Sequence, residues 1–162
     1  MKKINLFPLL LFIIISTNCF AQRADKEEIK LLLERHNAYR TEVGLPDLGY
    51  SETLASVALK WANELGVKCE FKHSANSFGE NLFRGTEGAY TVGDAVDSWG
   101  DEKKNYSYGK NKCANNKVCG HYTQIIWKST TNVGCAKMVC DGMVTWVCNY
   151  SPPGNYVGEK PY

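Results

Sequence analysis

Histidine and cysteine are the residue types of this chain whose side chains could do chemistry, since the sequence holds three histidines and seven cysteines. Imidazole and thiolate groups can bind a metal, and both can serve in acid–base or nucleophilic catalysis. The chain has neither a Gly-x-Ser-x-Gly nucleophile elbow nor a His-Glu-x-x-His zinc motif. Local motifs therefore assign no reaction.

The N-terminus predicts the compartment in which the cysteines act. Lys2 and Lys3 precede an almost wholly apolar run, 4–16, and Cys19-Phe20-Ala21 places small residues where a signal peptidase reads. We predict a secretory signal peptide, 1–21, because the apolar run is shorter than the ~20 residues of a spanning helix. A lipid anchor on Cys19 is disfavoured, since the aliphatic and small residues expected before a lipidated cysteine are missing.

Removal of the signal leaves six cysteines, and an even number in an exported domain indicates three disulfides. They are Cys69, Cys113, Cys119, Cys135, Cys140 and Cys148. A zinc site is the alternative, disfavoured because no Cys-x-x-Cys spacing is repeated. Without the two lysines of the signal, residues 22–162 carry equal numbers of acidic and basic side chains. This segment has the length of one domain. Without a basic run, this composition argues against nucleic acid as a partner.

The register of a predicted hairpin assigns the disulfides. Asp141-Gly142 lies between two β-rich runs, the pattern of a two-residue turn. In that register Cys135 faces Cys148 as a non-hydrogen-bonded pair, with Cα atoms about 4.5 Å apart. Cys140 points to the other face of the sheet. Cys113 and Cys119 are close enough in sequence to join, which leaves Cys69 for Cys140.

Helices precede this hairpin. Asp25 with Glu28 forms a capping box, Ser51 and Thr91 cap two further helices, and a fourth is predicted over about 120–128. His36 falls on the apolar side of the first helix, so we interpret it as a structural histidine. Amphipathic helices followed by a hairpin predict an α+β domain.

Two motifs near the C-terminus resemble the signatures of the CAP family, which comprises cysteine-rich secretory, antigen 5 and pathogenesis-related-1 proteins. The first is GHYTQIIW at 120–127 and the second is VCNYSPPGNY at 147–156. The plant pathogenesis-related-1 group is the most similar branch. The resemblance implies a three-layer α–β–α sandwich with a central antiparallel sheet, and the same three disulfides.

The resemblance also implies a cleft formed by His73, Glu80, Glu102 and His121. Three interpretations follow. The histidines could ligate Zn²⁺, as a cofactor that the protein does not require, or the four residues could be a structural hydrogen-bonded network. The third interpretation is a zinc-dependent hydrolase or protease with Glu80 or Glu102 as the catalytic group. Catalysis is the least favoured, because the family has no established shared reaction.

Lipid binding is a second implication, because several family members bind sterols or fatty acids and a loop before the fourth helix has been implicated. Here that loop is about 105–118 and carries Tyr106 and Tyr108. Lys110 and Lys112 stand where the sterol motif has a further aromatic residue. A solvated loop is the alternative.

The final implication concerns the C-terminal segment 152–162, which resembles a defence peptide released by some plant members. An ordered tail over the cleft is the alternative. Taken together, we expect an extracellular, monomeric binding protein in defence or host interaction, and not an enzyme. Its partners would be a sterol or other lipid, or an extracellular protein, without a stable membrane anchor.

Overall fold

The computed structural model describes residues 19–162, so most of the predicted signal peptide lies outside the described residues. A short first strand is followed by three helices with one strand between each two of them, a 3₁₀ turn (Asp101–Asn105), a small hairpin, a short fourth helix and a long hairpin. These elements are β1 (Phe20–Arg23), α1 (Lys26–Thr41), β2 (Gly49–Tyr50), α2 (Glu52–Gly66), β3 (Gly79–Thr86), α3 (Val92–Gly100), β4 (Tyr106–Ser107), β5 (Lys112–Cys113), α4 (Gly120–Ile125), β6 (Asn132–Cys140) and β7 (Met143–Ser151). No helix in this part of the chain has the length and apolar character needed to span a bilayer.

The helix starts follow from side-chain caps. The backbone N–H of Glu28 donates to Asp25 Oδ1 at 2.9 Å, and the Glu28 carboxylate accepts from the Asp25 N–H. Thr91 begins α3 with the same reciprocal arrangement, and Ser51 Oγ accepts from the first turn of α2. Each cap satisfies backbone donors that a helix N-terminus leaves free.

A five-stranded sheet is the middle layer. Its order is β1-β6-β7-β3 with antiparallel neighbours, and the two residues of β2 add to β6 in parallel. The β6–β7 register pairs Cys135 with Cys148 and Cys140 with Met143, as the turn predicted. β1 pairs Phe20 with Val139, so the predicted cleavage point after Ala21 falls inside a strand.

Alternation along β6 and β7 gives each face of the sheet its own core, which makes the predicted three-layer sandwich. One face packs against α2 through Ala58, Ala62, Leu65, Ala136, Met138 and Val147. The other packs against α1, α3 and α4 through Leu32, Val96, Trp99, Ile125, Trp146 and Tyr150. Gly134 permits the first contact, since a Cβ there would collide with the backbone of Ser51 and Ala55.

The fourth helix is shorter than predicted. It ends at Ile125 rather than near Lys128. The reason is a buried guanidinium: Arg40 Nη1 donates to the carbonyls of Ile125 and Trp127, at 2.9 and 3.0 Å. The Ile125 carbonyl therefore bonds to a side chain, and the Lys128 N–H, which a helix reaching Lys128 would direct to Gln124, donates to Pro161.

Candidate functional site

The first imidazole–carboxylate pair joins the loop before β3 to the start of that strand. His73 Nδ1 lies 2.7 Å from Glu80 Oε1, and the Ser74 N–H donates to the same oxygen at 2.9 Å. The Glu80 side chain is 6% exposed and that of His73 is 58% exposed. Glu80 Oε2 has no hydrogen-bond partner within residues 19–162. Because an unpaired buried carboxylate oxygen is costly, a cation or a donor would be favoured there.

The second pair joins the 3₁₀ turn Asp101–Asn105, which follows α3, to the start of α4. His121 Nδ1 lies 2.7 Å from Glu102 Oε1. Glu102 Oε2 accepts from the backbone N–H groups of His121 and Tyr122, at 3.0 and 3.3 Å. The Trp99 ring stacks on His121 with centroids 6.3 Å apart. Glu102 therefore orients the imidazole and also satisfies the first donors of α4.

A buried polar chain connects the two pairs to the core. Asn81, next to Glu80 in β3, donates through Nδ2 to the His121 carbonyl and to the Tyr150 hydroxyl, each at 3.2 Å. The Tyr150 hydroxyl lies 2.8 Å from His36 Nε2, and His36 Nδ1 lies 2.8 Å from the Leu32 carbonyl. His36 is therefore a fully satisfied core residue, and Asn81 holds β3 against α4.

The four cleft side chains thus form two oriented pairs. A carboxylate partner keeps the proton on Nδ1 of each ring, so that Nε2 carries a free lone pair. No three of the four offer ligand atoms that all lie within 4.8 Å of one another in the described structure. Each pair therefore presents one imidazole whose Nε2 can act as a ligand or a hydrogen-bond acceptor.

A cavity of about 440 Å³ lies elsewhere, at the N-terminal ends of α1 and α3. Leu31, Val92 and Trp146 line it, and none of the four cleft residues does. The two pairs therefore lie outside this cavity.

The three predicted disulfides are confirmed. Cys135 and Cys148 have Cα atoms 4.2 Å apart, close to the distance expected for a non-hydrogen-bonded pair. Cys113 bonds to Cys119, and Cys69 to Cys140 with a Cα separation of 5.7 Å. Cys19 also lies within disulfide reach of Cys140, at 4.7 Å between Cα atoms. One sulfur forms one disulfide, so loss of 1–21 would leave Cys69 as its partner.

The predicted lipid loop is a small hairpin built by β4 and β5. Tyr106 is half-buried against Tyr122, with ring centroids 6.3 Å apart, and its hydroxyl donates to Asn111 at 2.7 Å. Tyr108 is more exposed, but its hydroxyl donates to the carbonyl of Tyr162. The hairpin therefore presents one anchored tyrosine and one that contacts the C-terminus.

The C-terminal segment is ordered against α4 and this hairpin. Asn155 donates to the Gly120 carbonyl at 2.8 Å and accepts from Thr123. The Lys128 N–H donates to the Pro161 carbonyl at 2.6 Å. Just before the segment, the Ser151 carbonyl accepts a hydrogen bond from the Thr131 N–H. It therefore lies along α4 and the hairpin.

Comparison with known proteins identifies the family. The sequence model of the family described as "CAP: Cysteine-rich secretory protein family" matches residues 33–150. The chain belongs to the CAP family. "Pathogenesis-related protein 1A" of Nicotiana tabacum is 42% identical to it over 155 residues, covering 95% of this chain and 90% of the relative.

Solved CAP structures share the architecture. Schistosoma mansoni venom allergen-like protein 4 has a TM-score of 0.69 and 27% identity, covering 85% of this chain and 95% of that protein. NaASP2, solved with Zn²⁺, has a TM-score of 0.67 and 24% identity, covering 85% and 86% of the two chains. At 24% identity, the likeness to NaASP2 shows a shared fold and nothing more.

Arg40 is a buried residue of this CAP domain whose guanidinium donates hydrogen bonds to four backbone carbonyls. Its side chain is 1% exposed, and Nη2 donates to the Thr130 carbonyl at 3.1 Å. Nε donates to the Pro46 carbonyl at 2.7 Å. Burial lowers the pKa of the guanidinium, and nearby Asp47 opposes that shift. An arginine in an amphipathic helix does not by itself reveal carbonyl partners so far along the chain.

Proposed function

We propose that this protein acts outside the cell as a pathogenesis-related-1 type binding protein. In this proposal its cleft binds a divalent metal through His73 and His121, and its β4–β5 hairpin contacts a sterol or other lipid. One observation carries the metal site: each imidazole is held by a carboxylate through Nδ1, which leaves Nε2 for a ligand. The disulfides suit an oxidising compartment, and plant pathogenesis-related relatives support a defence role.

The donor set fits Zn²⁺. Imidazole nitrogen is a favoured zinc ligand, and carboxylates commonly support such histidines from behind. The unpaired Glu80 Oε2 would gain from a nearby positive charge. NaASP2, which shares the fold, was solved with Zn²⁺. The ion would supply a link between the loop before β3 and the start of α4.

Binding is favoured over hydrolysis by what the carboxylates already do. Glu80 Oε1 accepts from the His73 ring and from the Ser74 N–H. Glu102 Oε1 accepts from the His121 ring, and its Oε2 accepts from the His121 backbone N–H. A general base must be free to take a proton from the reacting group. Glu102 has no unbonded oxygen, and the unbonded Glu80 Oε2 is buried away from a reacting group. Both acids orient histidines, which is the role of supporting groups at a metal site.

Zinc affinity tests the cleft proposal. We expect Zn²⁺ to bind one site per chain at neutral pH, and His73→Ala with His121→Ala to abolish that binding. Glu80→Gln or Glu102→Gln should weaken it about 10–100-fold, because each replaces the charged acceptor that orients a ligand with a neutral amide that accepts a weaker hydrogen bond. Isothermal titration calorimetry measures this, and affinity should fall as protons compete for the imidazoles.

Lys72→Ala is the matched control, since Lys72 precedes His73 and its ammonium pairs with Glu70 and not with the cleft. It should leave zinc affinity unchanged. Equal zinc binding by the wild type and the double histidine variant would contradict the metal proposal and leave the four residues as a structural network.

Lipid contact at the hairpin is proposed from Tyr106 and Tyr108, which lie two residues apart on the β4–β5 hairpin beside Lys110 and Lys112. Tyrosine combines an apolar ring with a polar tip, which suits the boundary between lipid and water. The supporting observation is that Tyr108 keeps 39% of its surface exposed although its ring stacks on Tyr162.

Replacement of both tyrosines tests this contact. We expect Tyr106→Ala with Tyr108→Ala to remove saturable binding of radiolabelled cholesterol, since the apolar contact area is lost. Tyr90→Ala is the control, because Tyr90 is an exposed tyrosine that packs on Phe83 away from the hairpin. Unchanged sterol affinity in the double variant would refute the placement.

A further inference from the structure

The C-terminal residues 159–162 contact the same tyrosine that the proposed lipid surface uses. The Tyr162 ring stacks on Tyr108 with centroids 4.4 Å apart and planes 18° apart. The Lys160 ammonium lies 4.2 Å from the centroid of the Tyr108 ring. The polar tip of Tyr108 donates to the Tyr162 carbonyl. Ring and hydroxyl are both engaged by the end of the chain.

A second contact joins this end to the other hairpin tyrosine. Asn111, in the turn between β4 and β5, donates to the Glu159 carbonyl at 2.9 Å and accepts from the Tyr106 hydroxyl. The Lys128 N–H holds the same stretch from the α4 side through Pro161. Residues 159–162 therefore bridge the hairpin and the chain that follows α4.

The chain between the two attachments is exposed. Asn155 fixes the segment near its start, through Gly120 and Thr123. Tyr156 is about half exposed and Val157 is fully exposed. The segment thus has a fixed base, an arch at 156–158 and a bonded tip at 159–162. Pro161 in the tip is buried and Tyr162 packs against the core, so detachment gives up these contacts, but the tip contains no residue of the sheet or of the four helices. The tip can therefore detach while the sheet and helices stay folded.

We propose that residues 159–162 are a latch that covers Tyr108 and must detach before the hairpin can engage lipid. This inference rests on the proposed lipid contact and adds its regulation. The closed latch and the lipid compete for one aromatic surface, so each disfavours the other by the same factor. Cleavage within the exposed arch would open the latch permanently and increase lipid binding.

The test uses the full chain with two substitutions in the tip, Lys160→Ser and Tyr162→Ser, which leave the hairpin intact. Without the stack and the cation–π contact, we expect the Lys128 amide to exchange with deuterium about tenfold faster, because its acceptor belongs to the tip. Binding to phosphatidylcholine vesicles containing cholesterol should tighten about tenfold as the open fraction rises. Val157→Ser in the arch is the control and should change neither quantity.

The outcomes separate the two ideas. Equal vesicle binding by wild type and tip variant, lost on adding Tyr108→Ala, would overturn the latch and support the lipid surface. Absence of vesicle binding in both chains would overturn the lipid surface and the latch with it. Unchanged exchange at Lys128 would also overturn the latch. Faster exchange together with tighter, Tyr108-dependent binding would support it.

Discussion

Replacement of Arg40 with methionine is expected to lower the free energy of unfolding by about 3–5 kcal/mol, because each unmade buried hydrogen bond costs about 1–3 kcal/mol and relaxation recovers part. Methionine keeps the apolar stem and removes every donor. The carbonyls of Ile125, Trp127 and Thr130 would then lie buried without the guanidinium. Urea denaturation with the disulfides intact measures the change.

Arg35→Met in the same helix is the matched control. Arg35 is about half exposed and lies 3.6 Å from Asp97, so its loss should cost no more than about 1 kcal/mol. Arg40→Lys is the second variant: it keeps the charge but cannot reach carbonyls in several directions, and should recover only part of the loss. Equal stability of the Arg35 and Arg40 methionine variants would contradict the role assigned to Arg40.

Local chemistry explains which parts of the fold the sequence predicts. The capping residues Asp25, Ser51 and Thr91 act within one helical turn, so the local sequence predicts where three helices begin. The Asp141-Gly142 turn sets the pairing of every residue in β6 and β7, and both turn residues have positive φ. That local register alone places Cys135 opposite Cys148.

Long-range contacts explain what the sequence left open. β3 has no alternating pattern to predict it, since Glu80 and Asn81 interrupt its apolar residues. The cleft pairs needed the family resemblance, because only the fold brings Glu102 to His121. The contact between Tyr108 and Tyr162 joins residues 54 positions apart, and no local signal specifies it.

The core and the cleft share one hydrogen-bonded chain, which gives His36 an influence beyond packing. His36 bonds to Tyr150, Tyr150 to Asn81, and Asn81 to the carbonyl of His121. Each member is buried and has its partners, so the chain fixes where α4 begins relative to β3. Protonation of His36 would remove the acceptor that the Tyr150 hydroxyl uses, and the chain would have to rearrange.

Acid should therefore destabilise the protein through His36. Burial lowers the pKa of His36 to about 4, opposed by the Leu32 carbonyl bond and assisted by Arg40. Above pH 6.5 neither the folded nor the unfolded state binds this proton. Between pH 6.5 and about 4 only the unfolded chain binds it, so stability falls as pH falls. The loss should reach about 3 kcal/mol near pH 4 and then level off.

His36→Gln isolates this contribution, because glutamine can accept from Tyr150 and donate to Leu32 but does not titrate. We expect the stability difference between wild type and variant to be constant above pH 6.5. As pH falls from 6.5 to 4, the wild type should lose stability relative to the variant. Urea denaturation across pH measures it. A difference independent of pH would contradict the prediction, as would an NMR titration in which the His36 ring protonates near pH 6.5. With only three histidines in the chain, that ring can be assigned even if the variant fails to fold.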